Sequence, residues 1–191
     1  MQPLDPRTGA TTHFLLLYAL LEKAQKTIQA SSRGSRETIV GKPVRSRARE
    51  APGLLLSAGP LGLLTFYASK ISDKNLYNKL ATEFFNLSPD VTLNAAKEKA
   101  EQIYKNTNAK TIDDELSSGG KGYTILLAMI TAYLANQDNQ NLLREPSLEG
   151  LIDFLKDLAK TPELEAQIQD LLLPYLTHLK QLVEAVVKED E

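Results

Sequence analysis

Val44-Arg-Ser-Arg-Ala-Arg-Glu-Ala-Pro-Gly-Leu-Leu-Leu-Ser-Ala-Gly-Pro-Leu-Gly-Leu-Leu-Thr-Phe-Tyr-Ala-Ser-Lys70 is the stretch whose periodicity decides the fold class. At about 100° per residue, Val44, Ala48, Ala51 and Leu55 share one helix face. Arg45 and Arg49 fall on one flank of that face and Arg47 on the other. Pro52 and Gly53 predict a kink or break, because proline removes a helix hydrogen bond and clashes with the turn before it. Ser57-Ala58-Gly59-Pro60 predicts the end of the element, since glycine closes a helix and proline can open the next. The following helix, residues 61–69, is almost wholly apolar, which predicts a central place in the core. Lys70 stands at its exit.

The same helical period extends in both directions, with no convincing alternation of β-branched residues. Thr11 or Thr12 predicts the cap of a helix running to about Ala30, with Phe14, Leu17, Tyr18, Leu21 and Ile28 on one stripe, after a loose start over residues 1–10. Ser31 to Pro43 reads as a mobile basic loop. Leu76, Leu80, Phe84 and Leu87 mark a helix over residues 75–87. Thr92 opens another, with Leu93, Ala96, Ala100 and Ile103 inward. Residues 107–112 read as a link, and Asp113-Asp114-Glu115 as an acidic helix start before the Ser117-to-Gly122 loop. Tyr123 to Asn136 is a further apolar helix. Ser147 starts one with Leu148, Leu151, Ile152, Leu155 and Leu158 in a stripe. Thr161-Pro162-Glu163 starts the last, with a kink expected at Pro174. The expectation is an all-α chain: a compact helical bundle of about six helices over residues 1–136, with a C-terminal helical-pair extension over residues 137–191 packed on it.

Composition narrows the chemistry. The 191 residues are 42% hydrophobic and 24% charged, which is globular rather than disordered. With no cysteine there is no disulfide, no zinc–thiolate site and no cysteine nucleophile. The longest apolar run, Phe14 to Leu21, is followed by Glu22-Lys23 within a continuing helical period. That argues for a buried helix rather than a signal peptide or membrane span, and for a cytoplasmic setting.

Charge is segregated. Residues 23–49 hold eight basic side chains against one acid, and residues 145–191 hold eleven acids against four lysines. A basic end and an acidic end would suit a phosphate chain at one pole and head-to-tail stacking of copies.

Catalytic patterns are poor. Gly119-Gly120-Lys121-Gly122 lacks the glycine five residues upstream and the Ser or Thr downstream that a phosphate-binding loop needs. Serines and threonines are many, but a nucleophile needs a base in reach, and His13, abutting an apolar helix, and His178, in a leucine-rich one, read as packed or surface histidines rather than bases. No enzyme activity, metal, cofactor or small-molecule substrate is expected. The basic segment carries the functional signal. Arg45 and Arg49, one turn apart, together with Arg47, Lys42 and Lys70, offer phosphate contacts, and Arg33 and Arg36 in the loop could follow a nucleic-acid backbone.

The run Arg45 to Lys70 resembles the small helical subunit of type III-B CRISPR effector complexes, the Cmr group. The shared pattern is a basic helix start (Arg45, Arg47, Arg49), a proline in an apolar run (Pro52), a glycine–leucine turn (Gly59 with Leu61, or Gly62 with Leu63), then Phe66-Tyr67 and a closing Lys70. The helix Tyr123 to Leu134 is similar in character to that family's final helix. Pro60 and about fifty residues beyond Asn136 depart from the pattern. Small subunits of type III-A and type I-A complexes are also all-helical and basic, and stay open as alternatives. The resemblance implies a non-catalytic antiviral role. Copies would stack in a minor filament beside the backbone subunits, contacting the backbones of CRISPR RNA and target RNA. The competing readings are a helical protein–protein adaptor without nucleic acid and, behind it, a hydrolase with carboxylates gathered by folding.

Overall fold

Helix α6, Tyr123–Ala135, is apolar all round, and residues 123–134 are all buried. A helix with no polar face can be satisfied only by neighbours on every side. The rest of the chain, described in a computed structural model for residues 4–31, 40–137 and 143–187, is arranged accordingly. The described residues hold eight helices and no strand. They are α1 (Pro6–Ser31), α2 (Lys42–Ala68), α3 (Lys74–Phe85), α4 (Leu93–Lys105), α5 (Ala109–Ser117), α6, α7 (Leu148–Leu158) and α8 (Pro162–Val186). The described residues are therefore all-α, with eight helices in all, six of them before Asn136 and two after it. Helices α2 and α3 pack on α6, while α8 lies along both α1 and α2, and α4 covers α1. One hydrophobic core runs through all of them, from Leu4 to Val187.

Several boundaries differ from the sequence expectation, each for a local reason. The first helix starts at Pro6, not Thr11, because the Asp5 carboxylate accepts from the Arg7 and Thr8 amides at 3.0 Å each and Pro6 needs no donor at the first turn. Residues 109–117, read as a link, an acidic helix start and the beginning of a loop, form one helix, α5, capped by Asn108. The acidic triplet Asp113-Asp114-Glu115 thus lies in the second half of that helix, not at its start. Lys42 and Pro43, placed in a loop by their composition, open α2. Thr92 and Ser147 cap α4 and α7 as their sequence context predicts. In α7 the inward residues are Leu151, Phe154 and Leu158, whereas Ile152 is 43% exposed. Helix α8 continues through Pro174.

The largest difference is in α2. Val44, Ala48, Ala51 and Leu55 are buried as the period requires. The helix does not break at Pro52. It breaks at Gly59, within the Ser57-to-Pro60 stop that the sequence predicts, where a φ of 70° and a ψ of 174° fall in a region essentially reserved for glycine. Twenty residues of unbroken helix would separate Arg47 from Tyr67 by about 30 Å. Instead the Tyr67 hydroxyl donates to the Arg47 carbonyl at 3.0 Å. Helix α2 is therefore two arms folded back on each other. This matters because α2 is long and apolar enough, at 27 residues with an 18-residue window of mean hydropathy 1.3, to cross a membrane by composition alone. The fold-back is not the straight rod that a span requires. The second arm buries Leu63, Leu64 and Tyr67 but leaves Phe66 41% exposed, so it lines the surface as well as the core. The central helix is α6.

Polar groups inside the core are few. His13 is fully buried, hydrogen-bonded through Nδ1 to the Tyr175 hydroxyl at 2.8 Å, and Tyr175 stacks on Tyr133 with centroids 4.1 Å apart. Burial alone pushes the His13 pKa down to about 3, so the imidazole is neutral at physiological pH. Tyr77 and Thr131 share a buried hydrogen bond of 2.7 Å that ties α3 to α6.

Candidate nucleic-acid interface

The start of α2 is fixed by the α5–α6 connection. The Gly41 amide donates to the Leu116 carbonyl at 2.7 Å. Gly122, at φ 90°, sits so close that an added Cβ would lie 2.8 Å from the Pro43 carbonyl carbon and 2.9 Å from the Val44 nitrogen. Only glycine supplies both the backbone angle and the clearance. Glu115, 2% exposed, holds this junction from within. Its carboxylate accepts from the Gly122 amide at 3.0 Å and the Thr124 hydroxyl at 2.9 Å, acting as a remote cap for α6, whose own cap residue has no side chain. Ser72 donates to the same carboxylate at 3.3 Å and accepts from Lys121 Nζ at 2.9 Å. The Gly119-to-Gly122 turn is thus a structural junction.

On this frame the arginines of α2 diverge. Arg47 turns toward α6: its guanidinium lies 4.3 Å from the centroid of the Tyr123 ring, its Nη1 donates to Glu50 Oε2 at 2.8 Å, and its Nε donates to the Lys121 carbonyl at 3.4 Å. Only 16% of that side chain is exposed. Arg49, on the other flank, is exposed and pairs with Glu184 of α8 at 2.8 Å. Arg45 is half-buried and Lys42 exposed, both on the first arm. Arg33 and Arg36 lie outside the described residues.

The fold-back joins two of the predicted residues that are 23 positions apart. From Arg47 the contact passes to Tyr123, then to Phe66, whose ring stands edge-on to Tyr123 at 5.7 Å, and then to Lys70, with Nζ 5.4 Å from the Phe66 centroid. Tyr67 closes the cluster at 5.2 Å from Tyr123. Burial raises the Tyr67 pKa well above its usual value, keeping the phenol protonated for its bond to the Arg47 carbonyl. The result is a strip with aromatic rings at its centre, the Arg47–Glu50 pair at one end, and exposed Lys70 with half-buried Lys121 at the other.

Sequence reasoning identified Arg47 and Lys70 but not Lys121 or Tyr123 as their neighbours. It noted Phe66 and Tyr67 only as part of a pattern. The missing signal was geometric: a glycine–proline step between two apolar runs sets them antiparallel, which brings their far ends together.

The two charge blocks are not at opposite poles. Helix α8 lies along α2, Arg49 pairs with Glu184, and the Glu165 carboxylate abuts Gly59. His13, fully buried and occupied by Tyr175, is out of reach of any surface substrate. Comparison with protein-family models, curated proteins and solved structures finds no match to this chain.

Proposed function

We propose that this chain is a non-catalytic RNA-contacting subunit of an RNA-guided CRISPR complex, of the small-subunit type that its Arg45-to-Lys70 segment resembles. In this reading residues 1–136 form the helical bundle common to such subunits, and residues 137–191 are an addition packed on it. The observation that carries the proposal is the strip that α2 makes by folding back. Lys70 and Lys121 at one end of the strip flank the exposed ring of Phe66, and the carboxylate of Glu115 beside them is buried. Phosphate contacts from such side chains give affinity without sequence preference and weaken with salt. Arg49, held by Glu184, contributes less in this reading than Lys70. A helical adaptor is the second reading, favoured by Leu56, which is 60% exposed near the tip of the first arm.

Purification of the tagged chain from its native cells tests the proposal. Recovery of guide RNAs with repeat-derived ends, together with larger repeat-associated subunits, supports it. A protein partner without RNA sinks it in favour of the adaptor. In the recovered complex, Lys70→Glu combined with Lys42→Glu is expected to weaken target-RNA binding at moderate salt.

A further inference from the structure

Phe66 stands apart from the other rings of this protein. Tyr67, Tyr77, Phe84, Tyr133 and Tyr175 are 1% exposed or less, whereas Phe66 is 41% exposed. It is nonetheless braced, edge-on to Tyr123 at 5.7 Å and tilted against Tyr67 at 5.9 Å. Its position is therefore held by a rigid aromatic neighbourhood while a large part of the ring faces solvent. Lys70, one turn further along, holds its ammonium over the ring, 5.4 Å from its centre, and swings aside toward the phosphate when a base takes that face. Lys121 is tied by Ser72 to the same end of the strip.

A braced, solvent-facing ring with cations beside it matches the two demands of an unpaired nucleotide: a flat apolar surface for the base and positive charge for its phosphates. A base-paired duplex buries its base faces and could use only the cations. An apolar protein segment would use the ring but would gain nothing from the lysines. Resting on the RNA reading above, we propose that Phe66 is a stacking platform for an unpaired RNA base, with Lys70 and Lys121 contacting the adjoining phosphates.

The chain contains no tryptophan, so Phe66→Trp introduces a single fluorophore at the platform. The probes are a single-stranded oligouridine and a fully paired RNA duplex, each titrated against the full chain and against the complex recovered with it. Single-stranded RNA is expected to quench the Trp emission, and the duplex to leave it unchanged. Phe66→Leu keeps an apolar side chain but removes the ring. It is expected to weaken oligouridine binding about 5- to 150-fold toward the loss seen on removing a stacking aromatic, with the salt dependence unchanged. Lys70→Gln should instead lower the slope of log affinity against log salt by about 0.7 and leave quenching at saturation intact. Salt-dependent RNA binding with no quenching and no effect of Phe66→Leu overturns the platform while the RNA reading stands. Absence of RNA binding in both the chain and the complex overturns both. Loss of a protein subunit from Phe66→Leu complexes, with RNA retained, reassigns the ring to a protein contact and also overturns the platform.

Discussion

Helices α6 and α2 are both rich in leucine, alanine and aromatic residues, yet they have opposite fates. Helix α6 buries residues 123–134 completely. The most apolar 18-residue window of α2 is only 33% buried. Apolar composition specifies that a segment is helical and seeks cover, but the partners decide how much cover it receives. In α6 the demand is met from every side. In α2 it is met along Val44, Ala48, Ala51 and Leu55 and again along Leu63, Leu64 and Tyr67, and the remainder faces water. Of that remainder, Phe66 has a cation beside it, Lys70, whereas Leu56 lies near the tip of the first arm.

Truncation would show the contrast most sharply. Leu126→Ala in α6 removes a side chain with no exposed surface and is expected to cost about 2–5 kcal/mol in urea unfolding, while Leu56→Ala in α2 is expected to stay within about 0.5 kcal/mol. Equal costs for the two would break the distinction.

The turn between the arms comes next. Gly59→Ala would force a side chain into a glycine-only backbone region, with its Cβ 2.5 Å from the present position of Glu165 Oε1, and is expected to cost about 1–3 kcal/mol. Because Glu165 can swing away, the backbone cost should persist in Gly59→Ala with Glu165→Ala. Full rescue by the second change would mean that the clash, not the backbone angle, reserves the position.

The interior should also carry a pH signature that the surface lacks. His13 has a folded pKa lowered to about 3 from an ordinary 6.5, so the unfolded chain binds the extra proton between those values. Stability from this group is complete above about pH 6.5 and falls with acid, by about 2 kcal/mol between pH 7 and pH 5. His13→Gln should flatten that part of a urea-midpoint profile. An unchanged slope would mean that the imidazole is protonated in the folded state.

The smallest effect expected is that of Arg49→Gln. The pair with Glu184 is solvent-exposed, and its loss should change stability by about 0.2–1 kcal/mol, less at high salt. Arg47→Gln should cost more, because its guanidinium covers the Tyr123 ring and is mostly buried. The reverse order would show that the two flanks of α2 had been assigned the wrong roles.

Much of the architecture was legible because helical periodicity is local. The buried faces of α2 and α3, the caps at Thr92 and Ser147, and the extent of α6 all follow from spacing and side-chain chemistry within a few residues. What escaped was non-local. Nothing near Glu115 says that its carboxylate caps a helix starting at Tyr123, and the acidic triplet around it resembles an ordinary helix start. Pro52 does not break the helix: its neighbours Ala51 and Leu55 are buried in the core and the backbone there keeps helical angles. At the candidate interface the cations were visible as a cluster in sequence. Their division between Tyr123 and Glu184 depends on which helices lie on either flank, and the joining of Arg47 to Lys70 depends on the fold-back at Gly59.

The bond between His13 and Tyr175 spans 162 residues. At a synthesis rate of about 5–20 residues per second, roughly 8–30 s separate the appearance of the two partners on the ribosome. Until α8 is made, the faces of α1 and α2 that it covers have no partner from that helix, and the His13 imidazole lacks its bond to Tyr175. A helix made late, α8, is thus the one that covers α1 and α2. Helper proteins that shield nascent chains would find their longest opportunity on this face, and a ribosome stalled short of residue 162 would hold a chain with its core unroofed.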